Sequence, residues 1–287
     1  MTPEEIIKDI RQLVSLPDAV VRANQLLDSP TADSVTIGEV ISHDPALSAQ
    51  LLKLVNSAFY NFPKPIDTIS RAITVIGLNE LRSLIFASSS TQTFNRLAPE
   101  IFDMDSFWQR SVYAGLVAKK LAALLSEGNG EAMFLTGLLH DIGRLILFAR
   151  LPDVAQQIFE QAEKTGERLA EIETERLGFN STQLGSTLLE SWHLPQKMWE
   201  PIRFQQNPEK SADYHEETVI LNLALNVTAC VEPELKTGQP LKLDSLQNIH
   251  LNEIELTTEQ LSMVAADANL DSFEVLAIIN PNSTMVF

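Results

Sequence analysis

The chain is short of several things that common biochemical functions require. A single cysteine, Cys230, stands among 287 residues, which excludes an internal disulfide framework and a cysteine-based zinc site. Its apolar neighbours predict a buried structural thiol. Positive charge is scarce, with 21 Lys+Arg against 38 Asp+Glu and a net charge of −17. The imbalance grows along the chain, from −3 over residues 1–100 to −5 over 101–200 and −9 over 201–287. Duplex binding draws much of its affinity from neutralising phosphates with a basic face, so nucleic acid is not an expected ligand. No apolar run reaches the roughly 18–20 uninterrupted residues of a membrane span, and no membrane insertion is expected. The N-terminal "MTPEEIIKDIRQLV" is amphipathic and mixed in charge, unlike a signal peptide. A cytoplasmic protein is the expectation. There is no P-loop, no Gly-rich phosphate cradle and no His-x3-His pair.

What the chain does have is helical periodicity almost throughout. Apolar residues recur three and four apart: Ile6, Ile10, Leu13 and Val14, then Leu47, Leu51, Leu54 and Val55, then Ile69, Ile73 and Ile76. Strand-like alternation is hard to find. Thr36 to Glu39 fits a capping box. Asp44 reads as an N-cap followed by Pro45 at the first helical position, and Asn180 as the cap of the helix after it. Breakers fall at "NFPKP" (61–65), "RLAPEIFDMD" (96–105), "SEGNG" (126–130), "HLPQK" (193–197) and the polar loop 205–217. A long irregular connection is expected over 232–256, then a helix from Thr257 or Thr258 to about Ala268 and a shorter one near 271–279.

Only five histidines occur: His43, His140, His193, His215 and His250. A dinuclear phosphoesterase centre wants about five or six His and Asp side chains, because each metal also keeps positions open for water and phosphate. His43-Asp44 shows how weak a His-Asp pair is alone, since Asp44 is already explained as a cap. His193, His215 and His250 read as solvated surface imidazoles. His140-Asp141 differs, because "GLLHDIGRL" (137–145) places it within a largely buried helix. A buried imidazole beside a buried carboxylate needs partners. Helix packing could supply them, or a metal could.

Three N-terminal segments, "LPDAV" (16–20), "HDPALSAQLLKLVNSAFYN" (43–61) and "ISRAITVIGLNELRSLIF" (69–86), resemble one half of the HDOD family of bacterial signalling output domains, relatives of the HD phosphohydrolases. "SFWQRSVYAGLVAKKLA" (106–122), "FLTGLLHDIGRLIL" (134–147) and "STLLESWHLPQKMWEPI" (186–202) are similar to its other half, in the same order. The resemblance implies an all-α fold of two helical lobes: an HDOD-specific lobe over 1–100, an HD-like lobe over 101–217, and C-terminal helices with an acidic loop over 218–287 packing on the latter. Carried over position by position, the first metal-binding histidine of catalytic HD proteins falls on Arg110. The His-Asp pair is His140 and Asp141. A later histidine falls on Ser181, a histidine pair on Gln205 and Gln206, and the last aspartate near 223–226, where there is no carboxylate. Arginine in the first slot puts a permanent charge where a cation would sit. Arg110 is expected either to pair with Asp141 or to face solvent.

The implied function is a non-catalytic regulatory module acting through protein contacts, with no metal and no cofactor, receiving its signal from another protein or directly. Asn56 and Ser57, in the "NSAFYN" motif, either line a groove for a ligand or partner or cap their helix. Two alternatives stay open: a residual metal-dependent phosphohydrolase acting on a nucleotide or cyclic dinucleotide, and a metal-free small-molecule sensor using Arg110 or Arg144.

Overall fold

A computed structural model describes residues 1–10, 14–29, 33–57, 60, 62–97, 103–125, 130–237 and 256–280. Among them there is no strand. The N-terminal lobe is built from α1 (Pro3–Ile10), α2 (Asp18–Leu27), α3 (Ser34–Ser42), α4 (Pro45–Val55) and α5 (Ile69–Leu97). Asp44 caps α4 as its spacing requires, accepting from the Leu47 N–H at 3.0 Å with Pro45 following. α3 starts earlier than the Thr36 box implies. Asp33 takes the cap and accepts the Thr36 N–H at 2.7 Å, leaving Thr36 inside the first turn. α5 bends at Gly77, whose φ of 83° lies in the left-handed region that favours glycine.

The second lobe comprises α6 (Met104–Leu125), α7 (Gly130–Leu139), α8 (Ile142–Arg150), α9 (Pro152–Thr165), α10 (Leu169–Leu177), α11 (Ser181–Ser191), α12 (Gln196–Phe204) and α13 (His215–Thr237). Asn180 caps α11 in a full capping box with Gln183. His215 opens α13 rather than lying in a loop, and a 3-10 turn at Pro208–Lys210 occupies part of the polar stretch before it. Buried Glu200 pins that stretch by accepting from Ser211 Oγ at 2.7 Å and the Asp213 N–H at 3.1 Å. α13 continues to Thr237, beyond the expected start of the irregular connection. The remainder of that connection up to residue 255, with His250, lies outside the described residues, as does Leu13. Cys230 is half-buried rather than sealed in the core.

The C-terminal helix α14 (Thr258–Ile279) runs unbroken where two helices were expected. Asn269, Leu270 and Asp271 continue the helix, and Asp271 meets Lys120 at 2.8 Å. α14 packs chiefly on α6 and also touches α4, α5 and α13, so it spans both lobes.

Two further joins hold the lobes together. The Trp192 indole N–H donates to the Val14 carbonyl at 3.2 Å, and its ring lies 6.2 Å from Phe86 and from Phe94. The Tyr60 hydroxyl donates to Glu80, and Lys119 Nζ stands 3.1 Å from the same carboxylate. Along Ala132–Arg150 the chain is apolar enough by length and composition to cross a membrane, contrary to the reading of short runs alone. Yet 83% of that window is buried in this fold, and it breaks at residues 140–141. It is the central core element of the second lobe.

Candidate functional site

His140 and Asp141 occupy the two-residue turn between α7 and α8, not the interior of a helix. Flanking glycines set that turn against its neighbours. A Cβ on Gly137 would stand 2.6 Å from Gly115 Cα on α6, and one on Gly143 would stand 1.9 Å from the Ser181 carbonyl on α11. Only hydrogen fits at either place, so the "GLLHDIG" motif is first a device for seating α7 on α6 and α8 on α11 at close range.

His140 is buried, and its Nδ1 lies 2.7 Å from the Gly137 carbonyl. A carbonyl can only accept, so Nδ1 carries the proton and Nε2 is the unprotonated nitrogen. Burial lowers the imidazole's proton affinity most. Arg110 and Arg144 add to that effect, against the opposing pull of Asp141 and the Gly137 bond, and the pKa falls to about 4. The imidazole is therefore neutral across the physiological range.

Asp141 is buried and makes no capping hydrogen bond to α8. Its carboxylate meets Arg144 Nη1 at 3.0 Å, three residues along the chain. Arg144 thus supplies a guanidinium contact to Asp141. Arg110 approaches from α6, half-buried, and acts on His140 through its charge. The Arg144–Asp141 contact is local: residues three apart at a helix start face each other. The Arg144 guanidinium also lies 5.7 Å from the Phe159 ring.

Glu173 was not singled out from the sequence, although Ala170, Glu173 and Leu177 share the three-four spacing of an inward face. It is buried on α10, and one carboxylate oxygen accepts both the Ser181 N–H at 2.7 Å and the Ser181 hydroxyl at 2.9 Å. Burial raises its pKa, with the Ser181 bonds and Arg144 pulling the other way. Ser181 is thus engaged by a carboxylate.

Gln205 caps α12 from a buried position, and its amide donates to the His140 carbonyl at 3.3 Å. Its Oε1 is buried without a hydrogen-bond donor. Gln206, its partner in the carried-over histidine pair, is exposed. On α13, Asn222 donates to the Gln205 carbonyl at 2.7 Å and Asn226 donates to Asn222. A chain of amides runs where an aspartate would be sought.

The donor set does not fit a dinuclear metal centre. Among the described residues no cluster of three or more His, Cys, Asp or Glu side chains is placed to hold an ion. Two fixed cations flank the pair, and divalent ions need several N/O ligands around them.

Asn56 and Ser57 lie elsewhere. The Asn56 amide donates to the Leu52 and Ile66 carbonyls and accepts the Ile66 N–H, stitching the end of α4 to the segment before α5. Ser57 Oγ donates to the Leu54 carbonyl at 2.6 Å. Both also line a depression of about 430 Å³ against Glu274, Ala277 and Ile278 of α14.

The HDOD domain family model matches residues 13–208, which include Arg110, His140, Asp141, Arg144, Glu173, Ser181 and Gln205 but not α13. The chain belongs to the HDOD family. Over 211 residues it is 28% identical to an uncharacterized protein of Treponema pallidum (strain Nichols), covering 72% of this chain and 40% of that one. The chain thus spans well under half of that relative. A crystal structure from Shewanella amazonensis SB2B, of a protein named "Putative phosphohydrolase", is 26% identical with a TM-score of 0.76, covering 96% of this chain and 97% of that one. An HDOD domain protein of unknown function from Geobacter sulfurreducens shares the fold at 19% identity and a TM-score of 0.71, covering 99% and 98%.

Proposed function

We propose that this HDOD chain is a regulatory module of bacterial signal transduction that works in the cytoplasm through protein contacts and does not hydrolyse phosphoesters. The observation that carries this reading is the Arg144–Asp141 contact at 3.0 Å beside a neutral, buried His140. A carboxylate satisfied by a guanidinium is poorly disposed to bind a divalent ion, and an imidazole with so low a pKa is a weak general base at neutral pH. The other positions carried over from catalytic HD proteins support it. Arg110 brings charge, Ser181 serves Glu173, and Gln205 ties α12 to the His140 turn. The partner would be a protein, with a basic contact surface favoured by the net charge of −17.

The name of the Shewanella structure keeps a residual phosphohydrolase in view. Hydrolysis of nucleoside triphosphates and cyclic dinucleotides, assayed with added Mn²⁺ or Fe²⁺, separates the two. The expected result is no turnover above that of His140→Ala. Turnover that His140→Ala abolishes would establish an enzyme.

A further inference from the structure

α14 is apolar on both sides. Its inner face buries Leu261, Val264, Ala268 and Val275. Its outer face still presents Met263 at 67%, Leu270 at 76% and Phe273 at 44% exposure. A surface helix ordinarily turns charged and polar residues outward, and large exposed apolar side chains gathered on one face mark an interaction surface. Met263, Leu270 and Ala277 recur every seventh residue, with Ala266 and Phe273 three places after the first two. That is the a/d seam of a coiled coil. At its far end the seam enters the depression against α4, because Ala277 is also one of its walls, across from Leu52.

Charge identifies the occupant. From Thr258 to Ile279 the helix carries Glu259, Asp267, Asp271 and Glu274 and no lysine or arginine. Lys120 of α6 holds Asp271. Glu259 and Asp267 are exposed, one turn before and one turn after Met263. Asp267 and Glu274 directly follow Ala266 and Phe273, in the flanking positions whose charges select a coiled-coil partner. A second copy of this chain is a poor fit there. Two α14 helices paired antiparallel would oppose acid to acid, and paired parallel would oppose the acids to Ser262 and Asn269. Neither arrangement offers a cation. An anionic membrane surface, which attracts Lys and Arg, would repel the same face.

We infer that the outer face of α14 docks a basic amphipathic helix of a partner protein. Its apolar side chains seat on Met263 and Leu270, and its Lys or Arg side chains stand beside Glu259 and Asp267. The inference rests on the reading above that the chain works through protein contacts, and it gives that reading a surface. Helix-on-groove recognition uses anchors at such three, four and seven spacings. Because α14 touches α4 and α5 of one lobe and α6 and α13 of the other, a helix docked on it bears on the join between them.

Two synthetic helices of about three heptads test this, one with leucine at a and d and lysine at e and g, the other with glutamate in place of lysine. Binding is followed by fluorescence anisotropy at about 0.15 M salt, where distant charges are screened. The lysine helix should bind at least about ten-fold tighter than the glutamate helix. Met263→Gln combined with Leu270→Gln should weaken it at least about ten-fold, with the urea midpoint unchanged because both side chains are exposed. Asp267→Lys should weaken it several-fold. Glu163→Lys, at an exposed position of α9 and with the same change in net charge, should weaken it less than about two-fold. Lysine-helix binding that the double variant leaves unmoved would overturn the inference while leaving protein contacts in place elsewhere. No binding at about 100 μM, a Kd equivalent to roughly 5 kcal/mol, would overturn it too, and the hydrolysis assay above judges the functional reading independently. A lowered urea midpoint in the double variant would give the face to a segment of this chain. A wild-type dimer that the double variant dissolves would give it to a second copy, and phosphatidylcholine-vesicle binding lost in that variant would give it to lipid. Each of these three outcomes would overturn the inference.

Discussion

Arg144 Nη1 stands 3.0 Å from Asp141 Oδ2, with both side chains largely withdrawn from solvent at 17% and 9% exposure. The contact neutralises a buried carboxylate from within its own helix start. Removing one member strands the other, which costs more than removing both. Arg144→Met should therefore destabilise the protein by about 2–4 kcal/mol, and adding Asp141→Asn should recover much of that loss. Urea unfolding of the two single variants and the double variant measures the coupling. Additive losses would mean that the pair contributes nothing.

Stability should also depend on pH through His140. Its pKa is about 4 in the fold against about 6.5 in an unfolded chain. Below about 6.5 the unfolded state therefore takes up the proton first. Stability is greatest above that pH and declines as pH falls toward 4, by up to roughly 3 kcal/mol from this group alone. Glu173 has the opposite sign, because a carboxyl whose pKa is raised in the fold gains a proton there first and is stabilised by acid. Unfolding free energies measured from pH 7 to 4 on wild type and His140→Gln isolate the histidine's part. A variant with an unchanged slope would contradict the assignment.

Close helix approach makes a sharper structural prediction. Gly143→Ala places a carbon 1.9 Å from the Ser181 carbonyl and 2.6 Å from the Gly185 nitrogen, both main-chain atoms that cannot rotate aside. The expected cost is about 3 kcal/mol or more, at the upper end for overpacked cores. Gly130→Ala is the control, since its nearest neighbours would lie at 3.4 Å, and it should shift the urea midpoint little.

Glu173 and Ser181 form the remaining joint of the site. Ser181→Ala removes one of two bonds to the carboxylate and should cost about 1 kcal/mol. Glu173→Ala leaves both Ser181 donors unmet and should cost about 2 kcal/mol. Thermal unfolding ranks them. Equal, negligible effects would show that α10 and α11 do not depend on this joint.

These particulars show what the sequence makes legible. Local rules worked where one contact sets the outcome: Asp44 and Asn180 cap α4 and α11, and the apolar positions Leu47, Leu51 and Leu54 are buried. Helix ends set by tertiary packing were misjudged. α14 runs on through 269–271 where Asp271 finds Lys120 on α6, a partner 151 positions away in the chain. The family motifs led to the right turn but did not point to the Arg144–Asp141 contact, because position within a motif does not say which side chain is near enough to reach. Glu173 went unnoticed because nothing in "LAEIETERL" distinguishes the one buried acid from its exposed neighbours except its register on the helix. Gln206 shows the same limit, since of two adjacent glutamines only Gln205 turns inward.

The proposed function has protein groups in place of metal at the His140–Asp141 turn. Its most direct measurement is the metal content of the purified protein after growth with added manganese, iron and zinc, for wild type and His140→Ala. Both should carry no more than trace metal and be equally unaffected by chelator. Near-stoichiometric metal in wild type that is lost in His140→Ala would contradict it.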